Sequence, residues 1–388
     1  MKQSLTILRL WIAIVIAVAG LGGCASAPIP MQDILPGELF APSGETVSSA
    51  QLVERARVSA YVLLGEGHTV ACDHRVQADI LVAFSEAGMP FSLGLEMVPV
   101  DLQPVLDRFN AGQIDVDDLE QELNWKETWG HFFESYAPVF REAAKRGVPL
   151  VALNVPKRVV SAVSAAGLEG VAEADRHYLP ARIIPPTDDQ VLSLHEEFMR
   201  HQGMMTERKI KDEEQRFLLV QSLWDTAMAE NAMRARTIRG GIMLILAGSG
   251  HVEYNWGIAH RLHVLDAGSG VLSIMPWRGL DDLDGDSGDL FFYCALTHSS
   301  RLGFTLEQLP GYAEVVTVAP ETKAALAGFL PGDRIETVQG MPVEDLWVLH
   351  KAAVQAKKDG QPLNFVVLRG GERVSLSVPL TLSEPEAE

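Results

Sequence analysis

Tyr61-Val-Leu-Leu-Gly-Glu-Gly-His68 sets the architecture of this chain: four apolar residues run unbroken into Glu66 and His68, each preceded by a glycine. A short run that is apolar at consecutive positions reads as a strand covered on both faces, because a strand with one wet face alternates. Phe91-Ser-Leu-Gly-Leu95, Pro149-Leu-Val-Ala-Leu153 and Ile242-Met-Leu-Ile-Leu-Ala247 have the same character. Helical spacing separates them over 76–87, 132–146 and 213–239, each stopped by glycine or by Gly88-Met89-Pro90. Residues 167–203 also read as helical, with less regularity. Strands alternating with helices predict an α/β fold with a mainly parallel sheet and flanking helices.

Each expected strand delivers a polar residue at its carboxyl end: Glu66 and His68 from the first, Glu96 from the second, Asn154 from the third, His251 from the last. Ligands bind outside the carboxyl ends of strands in open α/β sheets, so these groups should converge on one rim. Two Gly-x-x-His patterns, Gly65 to His68 and Gly248 to His251, carry most of that signal, since glycine lets the backbone turn and approach a ligand closely. Glu66, His68, Glu96 and His251 suit a divalent metal such as zinc, iron or manganese, and they equally suit acid–base work without one. Taken singly, each has a structural reading: Glu66 and His68 as caps of the next helix, Glu96 as the partner of Arg75. No Ser-His-Asp arrangement or phosphate-binding glycine loop is legible.

Gly65-Glu66-x-His68, then His74 and Gln77, Gly94-Leu-Glu96-Met97, Trp125, Tyr136, Leu153-Asn154-Val-Pro156, Trp224-Asp225-x-x-Met228-Ala229 and Gly248-x-Gly250-His251 together resemble the ChaN-type haem-binding lipoprotein family. That family is grouped with Tiki and TraB-like proteins, and the resemblance runs from about Leu52 to Leu265. It implies a periplasm-facing lipoprotein of iron acquisition that binds haem, with a homodimer interface as the place of binding. It also implies a tyrosine axial ligand, for which Tyr136 and Tyr178 (beside His177) are the candidates; Tyr61 and Tyr254 read as structural. Tyr136 follows Trp125, Trp129, Phe132 and Phe133, where an aromatic is also a natural core residue. Tiki relatives with similar Gly-x-x-His motifs imply the alternative, a metal-dependent hydrolase or peptidase. Cofactor-side residues are then Glu66, His68, His74, Glu96, Asn154, Tyr136, Tyr178 and His251.

The C-terminal part changes character to short alternating strands, such as Glu314-Val-Val-Thr-Val318 and Leu363-Asn-Phe-Val-Val-Leu368, around one helix near 345–357. Arg301-Leu302-Gly303-Phe304, Ala324-Ala325-x-Ala327-Gly328, Leu330-Pro331-Gly332-Asp333-Arg334-Ile335 and Gly340-Met-Pro-Val343 resemble a bacterial PDZ domain. The resemblance implies that Arg301, Leu302, Gly303 and Phe304 receive a peptide's C-terminal carboxylate while the peptide adds a strand to the sheet.

At the other end, Lys2 and Arg9 precede an apolar run that closes on Leu21-Gly22-Gly23-Cys24. This resembles a lipobox, implying cleavage before Cys24, lipid attachment to it, and anchoring to a bacterial outer membrane. Two or more acyl chains make a stable anchor. The expected organisation is a signal peptide over 1–23, a tether over 24–50, the haem-binding α/β domain over 51–280, an acidic linker over 281–294 and the PDZ domain over 295–382. The five aspartates within 281–289 lack the closing glutamate of an EF-hand. A formal charge of −19, or −21 without Lys2 and Arg9, argues against a nucleic-acid partner. Cys72 and Cys294 fall in what read as different domains, so Cys72 reads as a free thiol, with metal ligation or a disulfide left open.

Overall fold

The computed structural model describes residues 34–201 and 207–380. The leader and Cys24 lie outside the described residues, and among those described no helix is long and apolar enough to cross a membrane.

The first domain is an α/β layer structure on a seven-stranded sheet: β1 (Leu39–Phe40), β2 (Tyr61–Glu66), β3 (Phe91–Pro99), β4 (Leu150–Asn154), β5 (Ile242–Gly248), β6 (Val271–Trp277) and β7 (Leu290–Tyr293). Their order across the sheet is β1-β7-β6-β2-β5-β3-β4. All neighbours are parallel except β1, which closes one edge antiparallel to β7. The apolar runs are continuous because both faces are buried. Val62, Leu64, Leu244 and Leu246 pack on one side with the helices Ala71–Glu86 and Phe133–Arg146. Tyr61, Leu63, Met243 and Ile245 pack on the other with Met228 and Ala232 of the helix Glu207–Arg239.

Two expected boundaries are corrected. The acidic stretch read as a linker to 294 ends earlier, because Leu290–Tyr293 forms β7 beside β6. Asp289 caps the approach to it, accepting from Ser273 N at 2.7 Å and Ser273 Oγ at 2.9 Å. The tether read to residue 50 likewise contains β1 and the start of the helix Ser49–Ala56, which Ser48 and Gln51 cap reciprocally.

Cys72 and Cys294 are joined in a disulfide, which corrects the free-thiol reading. β7 carries Cys294 into the first domain's core, against the N-terminal turn of the helix that holds Cys72. Arg278 reinforces the same corner by a two-pronged bond to the buried Asp73, at 2.7 and 2.6 Å, and a 3.1 Å bond to the Cys294 carbonyl.

The second domain has β8 (Thr297–Ser299), β9 (Phe304–Leu309), β10 (Tyr312–Val318), β11 (Arg334–Val338), β12 (Met341–Pro342), β13 (Leu363–Arg369) and β14 (Glu372–Val378). They form an antiparallel sheet in the order β14-β13-β11-β10-β9-β8, with β12 paired to β11. A core of Phe304, Phe329, Phe365 and aliphatic residues is covered by the helix Trp347–Asp359.

Candidate functional site

Register brings the strand-end residues together. Glu66 of β2 lies beside Gly248 of β5, and β5 in turn neighbours β3, which carries Glu96. The Gly248 N–H donates to Glu96 Oε2 at 2.6 Å. Gly248 admits the His68 ring onto its backbone: a Cβ there would stand 2.7 Å from His68 Cε1 and 3.7 Å from Glu96 Oε2. His251 Nε2 lies 3.4 Å from Glu96 Oε1. Glu66, His68, Glu96 and His251 therefore form one cluster at the carboxyl rim of the sheet, as their strand-end positions predict.

Two buried carboxylates organise it. Glu66 Oε1 bonds His68 Nδ1 at 2.9 Å and accepts the Tyr136 hydroxyl at 2.5 Å, while Oε2 accepts Gln77 Nε2 at 2.8 Å. His74, wholly buried, places Nε2 3.5 Å from the same Oε2 and its ring 3.9 Å from that of Tyr136. Burial alone would raise the Glu66 carboxyl, but the bonds and charges of His68 and His74 overcome it and hold the group well below the usual carboxylate range. Burial is likewise overcome at Glu96, which His251 and His68 keep ionised. Neither Glu66 nor His68 caps the next helix, and Glu96 turns to His251 rather than Arg75.

His251 is held from behind. Its Nδ1 meets Asp225 Oδ1 at 2.6 Å, and Asp225 Oδ2 accepts Gln190 Nε2 at 3.1 Å and lies 3.4 Å from the fully buried Arg261. Arg261 also donates to Gln190 Oε1 at 2.6 Å and to the Trp256 carbonyl at 2.5 Å. Burial would depress the His251 imidazolium, yet Glu96 and Asp225 on either side keep its pKa well above the ordinary value. Asp225 was quoted above as part of a motif without a role; Gln190 and Arg261 carried no sequence signal.

The mouth of the cluster is aromatic. The His68 side chain keeps 31% of its surface exposed and stands edge-on to Trp129, ring centres 4.8 Å apart, and 5.2 Å from His131. Phe132, next along, is 59% exposed. Burial and the neighbouring His68 push the His131 imidazolium below its ordinary pKa, so its ring is a neutral donor near neutral pH.

The tyrosines divide. Tyr136 is fully buried behind Glu66, and burial together with the Glu66 charge pushes its phenol far up. An iron-bound phenolate there would have to abandon the Glu66 bond, so Tyr136 is a support of Glu66 and its reading as a ligand is corrected. Tyr178 lies elsewhere, under Arg158 at 5.1 Å and 3.8 Å from His177. Arg158 binds Asp101, just after β3, so Tyr178 sits at the β3–β4 side of the rim. Asn154, also on that side, accepts the Val155 N–H at 2.8 Å with its own Oδ1.

The divalent-metal reading gains no support from this geometry. Among the described residues no group of three or more His, Cys, Asp and Glu is placed to share a metal ion. The donors are paired with one another instead, His68 to Glu66 and His251 to Asp225 and Glu96. Cys72, the other metal-ligand candidate, is consumed by its disulfide.

In the second domain, Arg301 is exposed, Phe304 is buried in the core, and Gly303 has φ 98°. A Cβ on Gly303 would lie 2.2 Å from Thr322 Cβ, so only glycine fits this turn.

Comparison with known proteins agrees with this architecture. Residues 52–262 match the family described as haem-binding uptake, Tiki superfamily, ChaN, and residues 300–380 match the PDZ domain. A curated relative, Protein RETICULATA-RELATED 5, chloroplastic, of Arabidopsis thaliana, is 24% identical over 257 residues, spanning 62% of this chain and 34% of its own length. The chain thus spans about a third of that relative. The solved structure of ChaN from Campylobacter jejuni, with cofacially bound haem, superposes with a TM-score of 0.53 at 18% identity, covering 66% of this chain and 95% of that one. With more than half of its residues matched and the sheet as described, the chain belongs to the ChaN haem-binding family of the Tiki superfamily, its ChaN domain followed by a PDZ domain.

Proposed function

We propose that this chain is a lipid-anchored haem carrier of iron acquisition, taking haem at the rim formed by Trp129, His131 and Phe132 in front of His68. The observation that carries the reading is a neutral, half-exposed imidazole, His131, set between Trp129 and an exposed Phe132. Haem needs an apolar wall for its face and a donor for its iron, and this rim offers both on one short segment. His131 supplies the iron ligand, the aromatic rings bear on the porphyrin, and the Glu66–Tyr136–Gln77 cluster keeps His68 in place behind them. Cofacial haem, as described for the Campylobacter jejuni protein, would bring two such rims together, and a homodimer follows from that arrangement.

The lipobox at Cys24 supports an outer-membrane anchor facing the periplasm, and the Cys72–Cys294 disulfide suits an oxidising compartment. The PDZ domain makes peptide or protein C-termini the second class of partner.

Titration of the soluble chain from Ala25 onward with haemin tests the ligand. Saturable binding with a shifted Soret band is expected, and His131→Ala should move that band and weaken binding about tenfold or more, the scale of losing one strong contact. Tyr136→Phe should leave the band in place. If His131→Ala leaves the spectrum untouched while Tyr178→Phe changes it, the ligand is Tyr178 and the rim assignment is wrong.

A further inference from the structure

A strand has two edges, and both edges of β9 are taken. β10 pairs along one, from Tyr312 opposite Leu309 to Val318 opposite Phe304. β8 pairs along the other, with Thr297 opposite Glu307, His298 opposite Leu306 and Ser299 opposite Thr305. Backbone bonds extend this second ladder at both ends: Gln308 N–H to the Leu296 carbonyl and Ser300 N–H to the Phe304 carbonyl, each 2.8 Å. β9 begins directly after the loop Arg301–Gly303, so the edge under β8 is the one on which a PDZ domain adds a peptide strand.

The carboxylate loop is engaged by the same segment. Leu302 N–H donates to Ser300 Oγ at 3.1 Å and Gly303 N–H to the Ser300 carbonyl at 2.9 Å, so amides of the carboxylate loop are satisfied within the chain.

We infer that residues 296–300 are a built-in occupant of this PDZ groove, and that an external C-terminal peptide enters only when β8 is displaced. A tethered occupant competes at an effective concentration on the order of millimolar, and the apparent affinity for a free peptide falls by the fraction of time the groove is open. β8 is suited to leaving: it has three residues, and His298 and Ser299 are exposed. Its upstream end is leashed, because Cys294 is bonded to Cys72 of the first domain.

The test uses the intact soluble chain with a fluorescein-labelled Ala-Ala-Ala-Ala-Phe-Val peptide, and its C-terminal amide as control. Proline breaks a strand this short, so His298→Pro should bind the free acid about tenfold or more tighter than wild type, while His298→Thr should behave as wild type. Hydrogen exchange supplies the second readout. The Gln308 amide should be protected in wild type and lose protection in His298→Pro, with β10 unchanged as the sign of an intact fold. Equal affinity of wild type and His298→Pro, detectable or not, overturns the inference, as does rapid exchange at Gln308 in wild type.

Discussion

His251 shares its two ring nitrogens between Asp225 and Glu96, and Arg261 stands behind Asp225 with no route to water. Its pKa is raised on folding, so the stability it supplies is complete below about pH 6.5, its unfolded value, and fades as pH rises through the higher folded value. Asp225→Asn removes the partner of both cations and should cost about 3–5 kcal/mol, the usual penalty for breaking a buried pair. The gap from wild type should be widest near or below pH 6 and narrow at higher pH, since the lost contribution is itself fading there. Urea melts across pH, with the His251 ring proton followed by NMR, check both; a gap that widens with pH would contradict the assignment. The forward residues of this cluster were legible because a polar residue closing an apolar run stands out: Glu66 and His68 follow the run of β2, Glu96 that of β3 and His251 that of β5. Asp225 and Arg261 were not, because both lie on helices, where a lone charge reads as solvated surface. His131 was passed over for a related reason: beside Trp129 and Phe132 an imidazole looks like one more core ring.

At the scale of elements, β7 is the piece that sequence reading misplaced. Four apolar residues after an acidic, glycine-bearing loop are too few to show a period, so the segment read as linker. The long runs of β2, β3, β4 and β5 were plain because burial on both faces left them almost wholly apolar, with Ser92 the one polar residue inside the quoted runs. The same misplacement hid the disulfide, since Cys294 reached the first domain only on the back of β7. Its loop is long, and chain entropy gives a stabilisation of up to about 5 kcal/mol for closing it. Cys72→Ser should therefore lower the unfolding free energy of the first domain by about 2–5 kcal/mol. Reduction of wild type should reproduce the loss in denaturant titration, whereas an unchanged midpoint on reduction would mean that β7 docks without the bond.

For the whole molecule, the order of the two domains was legible: the α/β domain first, then the PDZ module. Each part has its own composition and period, and the PDZ turns repeat a spacing that few other domains share. What stayed hidden was the use of the junction, because pairing of β8 with β9 is a tertiary choice that three polar residues do not advertise. Anchoring belongs to this scale as well. Cys24→Ser should release the protein from the membrane fraction or leave it unprocessed, and mass spectrometry with detergent partitioning reads both outcomes. Equal retention and equal mass would remove the lipid from the account.

The bond between Cys72 and Cys294 also routes force. Tension between a membrane-held N-terminus and a partner gripping the PDZ domain would travel through β1, β2 and the turn at Cys72, then cross sulfur to sulfur into β8. Everything between the two cysteines, including Glu96, His131, Asp225 and His251, lies on a slack branch outside that load path. A pull strong enough to peel β8 from its groove would load β2, with Glu66 and His68, and leave the segments that carry Glu96, His131, Asp225 and His251 off the covalent path.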